Sequence, residues 1–95
     1  MTNLTFKQLR YFDALARYQH FGRAAEACSI SQPALSLQVK ELEAVFGTNL
    51  VERSSPRIRL TTLGKDFNSK GRQILLAVEE LELSLIHISE PTRRK

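Results

Sequence analysis

The spacing of apolar residues divides the chain into four helical stretches and one short alternating stretch. Phe6, Leu9, Phe12 and Ala16 recur at steps of three and four, the stripe of a helix running from Phe6 to about Tyr18 with Thr5 as its cap. Tyr11, Leu15 and Tyr18 make a second apolar set on another face. A helix with two such faces in so small a domain is expected to meet a later helix or a second subunit. Gln19 to Gly22 interrupts the pattern, and the Ala-rich stretch from Phe21 to Ile30 reads as a short second helix.

The stretch SQPALSLQVKELEAVF, Ser31 to Phe46, reads as the third helix. Ser31 is a good N-cap, and Pro33 falls in the first turn, where a missing N–H costs nothing. Leu35, Val39, Leu42 and Phe46 form one buried stripe, which leaves Gln32, Ser36, Leu37 and Lys40 pointing the other way. Gly47 then serves as a C-terminal cap. Two helices joined by the brief polar break Ser29-Ile30-Ser31 form a helix-turn-helix over about residues 21–40, with Ala24 and Ala25 allowing a close crossing and Ile30 and Leu35 plugging the gap. The polar front of the third helix is the expected reading surface for a DNA major groove.

Asn49 to Arg53 and Arg57 to Leu60 are short apolar and polar alternations around Ser54-Ser55-Pro56, the pattern of a β-hairpin wing carrying Arg53, Arg57 and Arg59. Thr61 or Thr62 opens a last helix reaching about Leu85. In it Phe67, Ile74, Val78, Leu81 and Leu85 follow a coiled-coil spacing with Gly71 at the missing step. Such a stripe needs a partner, and a twofold partner would set two reading helices roughly one DNA turn apart. The expected fold is mainly α: a winged helix-turn-helix of three helices and a short hairpin, followed by a long dimerising linker helix.

Charge sharpens the picture modestly. The formal net charge is +4, with eight Lys and Arg against five Asp and Glu over residues 1–60, three against four over 61–89, and three against one over 90–95. The excess sits in the reading domain and the extreme tail, which suits a phosphate-rich partner. One cysteine, Cys28, forms no internal bridge and is expected as a core thiol, while His20 is expected where the second helix starts. With that cysteine and two histidines no metal site has the ligand count it needs, and no cofactor is expected. No nucleophile sits with a base, and no glycine-rich phosphate loop is present, so an enzyme is not expected. The absence of a membrane-length apolar run or a secretory profile points to a cytoplasmic protein.

The run FGRAAEACSISQPALSLQVKELEAVFGTNLVERSSPRIRLTTLG resembles the N-terminal domain of LysR-type bacterial transcriptional regulators. The shared pattern is the paired alanines, the S-Q-P-A-L-S-x-Q opening of the third helix, Leu42-Glu43, Gly47, Leu50, Arg53, and Leu60-Thr61 followed by Gly64. HFGRAAEAC followed by SISQPALS is most similar to the peroxide-responsive branch. The resemblance implies a winged helix-turn-helix bound as a homodimer to an interrupted palindrome in double-stranded DNA. Carried over by position, Gln32, Pro33, Ser36 and Leu37 face base edges and thymine methyls, Ser31 and Lys40 meet phosphate, and Arg53 and Arg57 serve the wing. Many relatives have Arg or Lys where Leu37 stands, which implies less charge and more shape in the reading here. Tyr11, Leu15, Tyr18, Phe67, Ile74, Val78 and Leu81 are the expected dimer interface.

Three features depart from the family. Val51 stands for the more usual Phe and Phe46 for the usual Leu, a pair expected to compensate in volume. The effector domain that follows in such regulators is expected to be absent, so a small-molecule or redox signal would act only through that missing part. The ending LSLIHISEPTRRK breaks the stripe and resembles translated sequencing-adapter sequence. The domains are therefore expected as 4–61 for DNA binding, 62–83 for the linker and 84–95 for a non-native or disordered tail. The competing reading is a protein-interaction module, a dimerising fragment without its own regulatory output.

Overall fold

The computed structural model describes residues 4–54 and 57–89, with side chains as far as Ile86. Helix α1 spans Phe6–Tyr18, α2 Phe21–Ala27 and α3 Gln32–Phe46; strands β1, Val51–Glu52, and β2, Arg59–Leu60, form a hairpin; and α4 runs Thr62–Ser89. The winged helix-turn-helix with a long following helix is the architecture expected. Ser55 and Pro56 at the hairpin tip, and the tail 90–95, lie outside the described residues.

Local chemistry explains the helix boundaries. Thr5 and Gln8 form a reciprocal capping box: the Gln8 amide donates to Thr5 Oγ1 at 3.1 Å, and the Thr5 amide donates to Gln8 Oε1 at 3.0 Å. Gln8 is buried, and its Nε2 donates to Gln38 Oε1 at 3.1 Å, so the cap also ties α1 to α3. Ser31 Oγ accepts the Ala34 amide at 3.1 Å, and Gly47 closes α3 with φ +68°, a left-handed turn that costs glycine little. Thr61 fastens three pieces. Its amide donates to Leu50 O at 3.0 Å, its hydroxyl donates to Asn49 O at 2.9 Å, and the same oxygen accepts the Gly64 amide at 3.0 Å.

The core gathers Phe12, Leu15, Ala24, Ala25, Leu35, Val39, Leu42, Leu50 and Val51, with Ile30 packed against it. Both alanines of α2 are buried, so the close crossing of α2 and α3 follows from side chains that take almost no room. Strand pairing is antiparallel, Val51 opposite Leu60 and Glu52 opposite Arg59.

Several expectations are corrected. Leu15 is 0 % exposed and belongs to the core between α1 and the helix-turn-helix pair, so it has no surface to give a dimer. Phe6, assigned to the inner stripe, lies exposed instead. Phe46 is 47 % exposed and sets its ring edge-on to Phe67 at 5.4 Å, while Val51 is buried. Phe46 thus builds a rim with α4 and is not the plug that offsets a small Val51. Phe67 packs at home, 5.2 Å from the Phe12 ring, which leaves it little to offer a second subunit. The α4 helix continues to Ser89, past the end expected near 83–85, because the first helix-breaking residue after Gly71 is Pro91.

Candidate nucleic-acid interface

Helix α3 carries the surface in question. Leu35, Val39 and Leu42 bind its back to the core, which turns Pro33, Leu37 and Lys40 outward and leaves Ser36 half-buried beside them. Leu37 is 55 % exposed, an apolar tip held out on the helix. Ser31 and Gln32 stand exposed at the N-terminus of α3, where the helix dipole favours an anion. Because Ser31 Oγ already accepts from Ala34, its remaining hydroxyl proton is the group available to a phosphate oxygen. Gln32, Pro33, Ser36, Leu37 and Lys40 therefore lie on the side of α3 away from its buried stripe, with Ser31 at the N-cap.

Sequence reasoning missed how α2 shapes this face. A Cβ placed on Gly22 would stand 3.0 Å from His20 Cε1 and 3.4 Å from Gln32 Oε1, so the imidazole and the carboxamide crowd the same bare glycine. His20 caps α2 as expected, its Nδ1 accepting the Arg23 amide at 3.0 Å. That bond puts the proton of the neutral ring on Nε2. Ten residues separate Gly22 from Gln32, and only the helix crossing brings them together.

On the wing, Arg53 is held from two sides. Its Nη1 lies 3.4 Å from Glu43 Oε1, and its guanidinium carbon stands 5.9 Å from the centroid of the Phe21 ring. Glu43 itself is anchored by the amides of Leu50 and Val51, which donate to Oε2 at 2.9 and 3.2 Å. Glu43 went unassigned in the sequence although it stands in the Leu42-Glu43 pair of the family pattern; the pattern carried the signal, but not the reason. Arg57 is exposed beside the hairpin, and Arg59 pairs in register with Glu52.

Away from this face, Asp13 accepts Arg72 Nη1 at 3.1 and 3.3 Å and Arg17 Nη2 at 3.1 Å, clasping α1 to α4. Gly71 is buried where a Cβ would come within 3.3 Å of Leu9 Cδ2. Beyond the clasp, Ile74 and Leu81 are exposed and Val78 is half-buried; on α1, Tyr18 is exposed and Tyr11 half-buried. Cys28 is half-buried at the end of α2, short of the core position expected for it, and burial pushes its thiol pKa up, with Asp13 adding to the rise and Arg10 opposing it. That is the reverse of what activates a thiolate. No helix among the described residues is long and apolar enough to cross a membrane.

A three-helix core, a reading helix presented by close crossing, a hairpin wing and a long trailing helix define a winged helix-turn-helix protein. Residues 6–65 match the bacterial regulatory helix-turn-helix protein, lysR family, and the chain belongs to that family. It is 45 % identical over 78 residues to the uncharacterized HTH-type transcriptional regulator YnfL of Escherichia coli K12, and 38 % identical over 79 residues to the transcriptional dual regulator OxyR of the same strain. These alignments cover 82 % and 83 % of this chain, which spans about a quarter, 26 %, of each relative. Among solved structures it resembles the BenM_DBD/catB site 1 DNA complex, with a TM-score of 0.87, 32 % identity, and 90 % of this chain and 96 % of that one covered. It also resembles full-length OxyR C199D from Pseudomonas aeruginosa, with a TM-score of 0.82, 41 % identity, and 88 % of this chain and 29 % of that one covered. Its relatives also include the hydrogen peroxide-inducible genes activator of Haemophilus influenzae, 38 % identical over 79 residues, and the RuBisCO operon transcriptional regulator of Allochromatium vinosum, 39 % identical over 80 residues.

Proposed function

We propose that this chain reads a specific sequence in double-stranded DNA, as a homodimer on an interrupted palindrome, and thereby controls transcription in the bacterial cytoplasm. The observation that carries the reading is the outward face of α3, where Gln32, Pro33, Ser36, Leu37 and Lys40 are displayed opposite a stripe buried in the core. A glutamine carboxamide pairs bidentately with adenine, and a leucine tip meets a thymine methyl. Ser31, Lys40, Arg53 and Arg57 supply the flanking phosphate contacts. Relatives solved with DNA, the BenM and CbnR domains, support the partner class at 32 % and 37 % identity.

The twofold arrangement rests on α4. At 28 residues it extends about 42 Å at 1.5 Å per residue, and its far end shows Leu81 58 % exposed together with Leu83, Leu85 and Ile86. Tyr11, Tyr18, Ile74 and Val78 complete the proposed interface, and Leu15 leaves it. The domains proposed are 4–61 for DNA binding and α4 as the dimerising linker; any effector acts through parts of the longer regulators that this span does not include.

Selection of bound sequences from a random duplex pool tests both claims. A recovered site of two inverted half-sites, spaced about 34 Å between centres, is the expected outcome. Recovery of no preferred sequence, with binding that ignores salt, leaves only a dimerising fragment and refutes the DNA reading.

A further inference from the structure

We propose that the Glu43 carboxylate is an intramolecular competitor of DNA phosphate for Arg53, and that this competition weakens the protein's hold on random sequence. The inference rests on the reading above that Arg53 reaches phosphate. Glu43 lies on the reading helix, yet its side chain turns toward the wing and is only 11 % exposed, against 36 % for Arg53. Two backbone amides, those of Leu50 and Val51, fix one of its oxygens and hold the carboxylate against the wing. The other oxygen takes the guanidinium at 3.4 Å, and the Phe21 ring backs the same group. Arg53 is the movable member of the pair, and it sits at the solvent edge.

A carboxylate and a phosphate offer a guanidinium much the same charge-assisted hydrogen bonds, so exchanging one for the other is close to even. Random DNA is held almost wholly by phosphate electrostatics, and to it the Arg53–Glu43 pair presents no net charge. Only a sequence that seats the α3 face on its base edges brings a phosphate close enough, for long enough, to take Arg53 from Glu43. The pair therefore withholds one cation from non-specific binding and releases it at the right site.

Glu43→Gln tests this with little damage to the fold, because the carboxamide oxygen still accepts both amides while the charge that holds Arg53 is gone. Binding to random duplex should then steepen by about 0.9 in the log–log salt slope per subunit, which between 50 and 200 mM salt is roughly a 3.5-fold larger loss. Binding to the selected site should change less, so discrimination falls. Glu43→Asp keeps a negative charge beside Arg53 and should leave the slope near the parent's; a slope as steep as that of Glu43→Gln would overturn the charge argument, and Glu43→Ala carries the comparison if Glu43→Gln melts early. In an Arg53→Ala background no substitution at 43 should alter the slope. Equal strengthening on both DNAs that persists without Arg53 would reduce Glu43 to a charge near the duplex and overturn the inference. Arg53→Ala alone separates the premise: an unchanged slope on the selected site refutes phosphate contact itself, whereas a flatter slope with an inert Glu43→Gln refutes only the competition.

Discussion

Gly64→Ala should destabilise this protein although it replaces glycine in a helix. A Cβ at position 64 would meet the backbone of Leu50 at 3.0 Å from its carbonyl carbon and 3.3 Å from its Cα, and it would come closer still to the carbonyl oxygen. Carbon contacts are comfortable near 3.5–4.0 Å, so α4 and the start of the wing must separate by most of an ångström. That separation strains Thr61, whose amide and hydroxyl hold Leu50 O and Asn49 O at 3.0 and 2.9 Å. Overpacking of this kind costs roughly 1–3 kcal/mol, and strain on two hydrogen bonds adds about 1 kcal/mol. Against it, alanine gains about 1 kcal/mol of helix propensity over glycine. The net loss is about 2 kcal/mol, or roughly 10 °C in Tm for a chain of this length. Urea unfolding followed by circular dichroism measures it, with Gly71→Ala as the control. At Gly71 the obstacle is the flexible end of Leu9, 3.3 Å away, so the same substitution should be nearly neutral. A Gly64→Ala protein as stable as its parent would show that helix and wing do not meet as described.

Other outcomes follow from the same geometry. Gln32→Ala or Ser36→Ala should relax sequence preference by about 1–3 kcal/mol at one base pair while sparing binding to random DNA; equal losses on both would argue against base reading. Gly22→Leu fills the space shared by His20 and Gln32, and should shift preference at the base pair that Gln32→Ala affects; a selection profile like the parent's would remove α2 from the reading surface. Leu81→Asp puts a charge into the exposed end of α4 and should turn a sedimenting dimer into monomer, and persistence of the dimer would place the interface elsewhere. Cys28, with its pKa raised by burial, should alkylate more slowly at pH 8 than a free thiol and speed up in denaturant; a faster rate when folded would contradict its half-buried setting.

Much of this molecule was legible in its residues because the deciding interactions are short-range. Thr5 with Gln8, Ser31 with Ala34 and Gly47 after Phe46 place helix ends through bonds spanning three or four residues. The stripe of Leu35, Val39 and Leu42 fixes which side of α3 faces out, and with it the side from which Gln32, Ser36, Leu37 and Lys40 are offered. Periodicity names a buried face, but it does not say what covers that face. Leu15 therefore groups by spacing with Tyr11 and Tyr18, on a face for a later helix or a second subunit, although it is fully buried in the core of its own chain. Similarly, the run of Phe67 to Leu85 has the spacing of one seam, yet Phe67 and Gly71 are spent on Phe12 and Leu9 at home, and it is from Ile74 onward, at Ile74, Leu81 and Leu85, that the stripe lies exposed.

The sequence alone determined the helices, their caps, the hairpin and the outward face of α3, since each depends on neighbours within about two turns of chain. Tertiary structure alone decided that Gly22 makes room for Gln32, that Gly64 lies against Leu50, and that Glu43 straps the wing while holding Arg53. Those meetings depend on the angle and distance at which separate elements cross, set by small side chains such as Ala24 and Ala25 in a packed core. No pattern along one strand of sequence records that geometry.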